Sequence, residues 1–137
     1  MKVLVDTNVA LDILLRRQDY PNAKIIYLLA ESNQINCYIS ASAITDIFYI
    51  TRKDLDKKTA KESVKSLLQT FKPATVTDSH IYLALDLDWG DFEDSVQYVV
   101  GESFSADYIV TRNAADFALG TIPAVTPEQF IKIIAIR

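Results

Sequence analysis

Two kinds of hydrophobic pattern alternate along the chain. Short, continuous apolar runs stand at Val3–Val5, Ile35–Ile39 and Tyr108–Thr111, with briefer ones at Ala74–Val76 and Ala124–Val125. Continuous runs of this length read as strands buried on both faces, because a strand with one wet face would alternate apolar with polar. Between them the apolar residues recur at helical spacing. Val9, Leu11, Ile13, Leu14 and Leu15 follow the first run at once. A second helix opens at Asp19-Tyr20-Pro21, with proline tolerated in the first turn, and carries Ala23, Ile26, Tyr27 and Ala30. Ser40-Ala-Ser42 precedes a third with Ile44, Ile47, Phe48 and Thr51. Asp56 is positioned to cap a longer amphipathic helix bearing Val64, Leu67, Leu68 and Phe71, and Pro73 is expected to end it. Asp78 is expected to cap the next helix, with Ile81, Tyr82 and Leu85 facing inward. After the break at Trp89-Gly90, Asp91-Phe-Glu-Asp94 opens a helix through Val96, Val99 and Val100. Thr126-Pro-Glu-Gln129 is a capping box with proline at the first helical position, and the helix after it carries Phe130, Ile133 and Ile134.

Strands alternating with helices throughout predict an α/β fold: a three-layer sandwich around a central, mostly parallel sheet of about five strands. There is no internal repeat, low-complexity tract or linker, so residues 1–137 are expected to form a single domain. Half the residues are apolar and 23% are charged, which fits a packed core and excludes a disordered chain. No apolar run approaches the ~20 residues a membrane span needs, and Asp6 interrupts the first run too early for a signal peptide. A single cysteine, Cys37, supports neither an internal disulfide nor a thiolate metal cluster, and a cytoplasmic location is expected. The net charge of −4 argues against broad avidity for nucleic acid. It leaves room for an enzyme whose acids are gathered around a cation.

That possibility follows from where the acids fall. Asp6 comes directly after the first strand, Asp46 in the helix after the second, Asp91 and Asp94 at a helix start, and Asn113 and Asp116 after the Tyr108 strand. In a parallel sheet these positions share the carboxyl edge. Carboxylates gathered without lysine or histidine repel one another and call for a hard cation, Mg²⁺ or Mn²⁺ rather than zinc. Each acid also has an ordinary reading. Asp6 could simply cap the following helix, and Asp91 is best read as a helix-start acid. Asp94 is the better inward candidate, and Asp46 is flanked by Ile44, Ile47 and Phe48, where a carboxylate needs a partner.

The run Val3-Leu-Val-Asp6-Thr-Asn8, the helix start Ser42-Ala-Ile-Thr-Asp46, Asp91-Phe-Glu-Asp94, and Tyr108-Ile-Val-Thr-Arg-Asn-Ala-Ala-Asp-Phe117 together resemble the PIN domain. The likeness is greatest to VapC-like ribonuclease toxins of toxin–antitoxin pairs. The resemblance implies metal-dependent cleavage of RNA, a small antitoxin protein as inhibitor, and a homodimer. It implies Asp6, Asp46, Asp94 and Asp116 as the catalytic, metal-holding acids, with Mg²⁺ or Mn²⁺ as cofactor. Asn8, Thr111 and Asn113 would be supporting polar residues. The chain departs from the family at one point, since the second acid is commonly Glu and is Asp46 here. Two other readings stand beside this one: a PIN-like binding module that does not cleave, and an aspartate-based phosphotransfer enzyme. The second acid such a phosphatase motif requires is missing from Asp6-Thr-Asn8-Val-Ala10. The lysines at 57, 58, 61 and 65 read as a solvated face, His80 as a surface or packing residue, and most aromatic residues as core.

Overall fold

A computed structural model describes residues 1–136. Strand β1 (Lys2–Val5) leads into helix α1 (Thr7–Leu15), followed by α2 (Tyr20–Glu31), β2 (Asn36–Ser40), α3 (Ala41–Asp54) and α4 (Lys57–Thr70). Then come β3 (Phe71–Ala74), α5 (Asp78–Asp86), α6 (Phe92–Ser103) and β4 (Tyr108–Val110). A single 3₁₀ turn (Ala114–Phe117), β5 (Ala124–Val125) and α7 (Pro127–Ile136) complete it. The five strands form one sheet in the order β3-β2-β1-β4-β5, and every pairing is parallel.

Strand alternation divides the core. Val3, Val5, Cys37, Ile39 and Val110 face a layer built from α1, α2, α3, α4 and α7, filled by Ile26, Ile47, Phe71 and Phe130. Leu4 and Ile109 face the opposite layer, where α6 supplies Tyr98, and Phe117 closes the cluster. Ala84 of α5 packs with Val96, Val99 and Val100 of α6 beside it. The molecule is thus the three-layer α/β sandwich that the alternating pattern predicts.

Three local expectations are corrected. The third strand is Phe71–Ala74, not Ala74–Val76. Pro73 does not follow the helix as its terminator but sits inside the strand, opposite Ile39. Because β3 is an edge strand, the missing N–H of Pro73 costs no ladder bond on the open side. The cap of α5 is Thr77 rather than Asp78. Its hydroxyl accepts from the His80 N–H while His80 Nδ1 accepts from the Thr77 N–H, so His80 has a defined local partner. Finally, Tyr82 and Leu85 are 68% and 61% exposed, and α5 turns Ile81 and Ala84 toward the core instead. Ala84 lies three residues after Ile81, which completes a helical stripe that the bulkier neighbours obscured.

Candidate active site

The strand order creates a topological switch beside β1, and open α/β sheets build sites at the carboxyl edge of such a switch. Asp6, the first residue past β1, is 6% exposed, and its carboxylate takes four protein donors. Oδ1 accepts from the Thr7 N–H at 2.7 Å and from Gln97 Nε2 at 3.1 Å. Oδ2 accepts from Thr111 Oγ1 at 2.7 Å and from Asn8 Nδ2 at 3.2 Å. Asp6 is therefore both the N-cap of α1 and a charge fixed at the switch point. Asn8 also accepts from the Arg112 backbone N–H, and Thr111 Oγ1 accepts from the Asn113 N–H. These bonds lace the loop after β4 to the start of α1. Asn113 joins the network through its backbone, and its side chain is exposed.

Asp91 caps α6 by accepting from the Asp94 N–H, as its place at the helix start suggests. Asp94 is half-buried in the first turn of that helix. Burial, and then the charges of Asp91, Asp6, Asp116 and Glu93, push its carboxyl up to about 7. All four of these charges are acidic. Asp116 projects from the exposed 3₁₀ turn after β4 and belongs to the same electrostatic neighbourhood. Asp46 is also exposed, which corrects the expectation of a carboxylate near the core. Its neighbours Ile44 and Phe48 are half-buried and Ile47 is buried, so α3 turns its apolar stripe inward and leaves Asp46 in water. Asp46 meets the others through Glu93, whose carboxyl is raised by burial and by Asp46, Asp6 and Asp91. The structure thus puts Asp6 and Asp116 within electrostatic reach of Asp94, and Asp46 within that of Glu93.

Three residues were missed by reading the sequence. Glu93 accepts from Thr7 Oγ1 at 3.2 Å and bridges Asp46 to the cluster. It was visible as the third acid of Asp91-Phe-Glu-Asp94. Gln97, a 1% exposed polar residue among valines, donates to Asp6 and leaves its own carbonyl oxygen without a partner among the described residues. Asp12 is fully buried on the apolar helix α1, and a lone polar residue between Leu11 and Ile13 was the available signal for it.

The donor set suits a hard divalent cation: carboxylate oxygens, with no histidine or thiolate among them. Acidic neighbours that raise the carboxyls of Asp94 and Glu93 mark a place where positive charge is wanted. Among the described residues, no group of three acid, histidine or cysteine side chains stands ready to hold an ion. Asp6 has its acceptor positions filled, but unequally. The bonds from Asn8 and Gln97 are longer than those from Thr7 and Thr111, so the two side-chain amides are the donors that could yield.

Known proteins share this fold. Residues 2–115 match the family model of the PIN domain. No curated protein matches the sequence. Among solved structures, VapBC2 from Rickettsia felis bound to a promoter DNA fragment superposes with a TM-score of 0.68 at 16% identity, over 91% of this chain and 97% of that one. A toxin–antitoxin complex from Klebsiella pneumoniae gives 0.68 at 20% identity, over 91% and 97%. FitAcB from Neisseria gonorrhoeae gives 0.63 at 19%, over 92% and 98%. At these identities the likeness establishes the fold.

Proposed function

The chain belongs to the PIN domain family, and from that premise we propose that it is a Mg²⁺- or Mn²⁺-dependent endoribonuclease, the toxin of a VapBC-like pair. The observation that carries the reading is the convergence of acids from separate elements around Asp94, none of them ion-paired to a base among the described residues. Asp6, Asp94 and Asp116 would hold the ion, with Asp46 and Glu93 adding charge at its margin. A bound divalent ion supplies a polarised phosphodiester and an activated water. The chain's own contribution is position: Thr7, Asn8, Gln97 and Thr111 fix Asp6, while the cap made by Asp91 fixes the turn that presents Asp94. The neighbours named as toxin–antitoxin complexes support an antitoxin chain as the physiological partner. A second copy of the chain is the other expected partner, and exposed apolar residues on α2 (Ile25, Leu28) and α5 (Tyr82, Leu83, Leu85) offer surface for either.

One observation favours a binding module that does not cleave, namely that among the described residues no three acids stand ready as ligands. The same experiment separates the two. Purified protein is incubated with RNA, with and without Mg²⁺ and chelator, beside Asp94→Asn, and melting is followed under the same conditions. The nuclease reading expects cleavage that chelation abolishes, a melting temperature raised by Mg²⁺, and loss of both in Asp94→Asn. Cleavage that survives chelation would sink the metal mechanism, and RNA bound but never cut would favour the binding module.

A further inference from the structure

Asp12 is the residue the acid cluster leaves unexplained. It sits on α1 with 0% exposure, and neither carboxylate oxygen has a hydrogen-bond partner among the described residues. Its contact is an ion pair, Arg112 Nε at 3.2 Å, close in distance but not aligned as a hydrogen bond. A carboxylate in such a place is costly, and an apolar residue of similar size would pack there more stably. Burial accordingly raises its pKa, with the Arg112 charge opposing. The side chain of Arg112 is 35% exposed, so the pair joins a buried acid to a guanidinium that reaches the surface.

The place it reaches is specific. Arg112 directly follows Thr111, a donor to Asp6, and its backbone N–H is held by Asn8. Arg112 and Asn113 line a cleft with Gln18, Asp19, Thr126 and Glu128, at the same carboxyl edge as the acids. The two acids of that cleft have partners of their own. Asp19 accepts from Asn22 Nδ2, and Glu128 pairs with Lys132. The charges that act most strongly on Asp94 are all acidic, and the side-chain ion pair of Arg112 is with Asp12 rather than with one of the cluster acids. A guanidinium is a planar fork of five N–H donors, and one held at Nε keeps its outer edge for a second anion.

We propose that Arg112, aimed by the buried carboxylate of Asp12, binds a backbone phosphate of the RNA next to the one at the acid cluster. Asp12 is then a positioning residue and Arg112 a substrate-binding one. The inference rests on the ribonuclease reading and adds to it the track of the strand, from Asp94 and Asp116 past Asn113 to Arg112.

The test uses a fluorescent single-stranded RNA, with chelator present so that nothing is cut, and anisotropy over a series of salt concentrations. Arg112→Gln should weaken binding about tenfold and reduce the slope of log affinity against log salt by about 0.7, the increment for one phosphate contact on a single strand. Arg112→Lys should keep the slope and recover part of the affinity, because it retains charge without the fork. Asp12→Asn should weaken binding while keeping the slope, since Arg112 stays charged but loses its aim. With Mg²⁺ present, both Arg112→Gln and Asp12→Asn should raise KM more than they lower kcat. A purely structural pair would lower the melting temperature and leave slope and affinity per folded molecule as in the parent, which would overturn the proposal. If Arg112→Gln binds as the parent does while the parent still cleaves, this inference falls and the nuclease reading stands. If the parent neither binds nor cleaves RNA, both fall.

Discussion

Asp94 holds its proton close to neutral pH because burial and four acidic neighbours oppose its charge, whereas Asp6 is surrounded by donors. The same substitution therefore acts on them in opposite directions. Asp94→Asn removes a repelled charge and should raise the melting temperature of the metal-free protein at pH 8. Asp6→Asn turns an amide toward groups that need an acceptor, leaving buried donors unmatched at a cost of about 3 kcal/mol. The pH dependence has a definite sign. The folded pKa of Asp94 is about 7 against an unfolded 3.8, so between those values the native state keeps a proton that the unfolded chain releases. Stability from this group is complete below the unfolded value and is lost as pH rises through about 7, and Glu93 is shifted in the same direction. Melts of metal-free protein from about pH 5 to about pH 8 should fall with pH, and Asp94→Asn should flatten that fall. A parent curve that rises across the window would contradict the shared negative field.

The 3₁₀ turn that carries Asp116 is anchored to α6 by an aromatic clamp. Trp89 stacks near Tyr98 and Phe117, and the Tyr98 hydroxyl accepts from the Thr121 N–H and also meets Thr121 Oγ1. Gly120 lies against the Tyr98 ring, and a Cβ added there would clash with its ring carbons. Gly120→Ala should thus displace Tyr98 and cost about 1–3 kcal/mol, the range for overpacking a closed contact. Urea unfolding checks this, and an unchanged midpoint would show that the ring moves freely. Such coupling between elements was beyond the reach of periodicity. Val3–Val5, Cys37–Ile39 and Tyr108–Val110 were legible because strands buried on both faces need uninterrupted apolar residues. The strand at Phe71 was misplaced because Lys72 and Pro73 break its run, which only an edge position tolerates. Asp6, Asp94 and Asp116 stood out through their place after strands or at a helix start. Gln97 and Asp12 did not, because their partners lie across the fold: Gln97 bonds Asp6 and Asp12 pairs with Arg112.

For the molecule as a whole, the shared carboxyl edge is what turns scattered residues into one neighbourhood. Five parallel strands give every strand the same polarity, so residues following β1 and β4 emerge side by side although far apart in the chain. The layer of α1, α2, α3, α4 and α7 packs one face of the sheet behind that edge. Among the described residues, no helix is long and apolar enough to cross a membrane. Asp6, Thr111 and Arg112 meet only when the sheet has closed, so the acid cluster and the neighbouring cleft are products of the complete fold rather than of any one segment.

Strand β1 lies at the centre of the sheet, paired with β2 on one side and with β4 on the other. During synthesis it is made before either neighbour, and one flank stays open until Tyr108–Val110 has left the ribosome. Until then the nascent chain carries an apolar strand with an unpaired flank, a template for aggregation and a natural client for chaperones. Its folding is dominated by late, non-local closure, which favours slow refolding over the fast kinetics of helical proteins of similar length. A chain cut after Ser105 should keep helical signal, melt without a cooperative transition and expose surface to a hydrophobic dye. A sharp melt from that fragment would mean that β1 needs only one neighbour. Asp6 is made before the hydroxyl that holds its second oxygen, which arrives only with Thr111, so this carboxyl edge is assembled late.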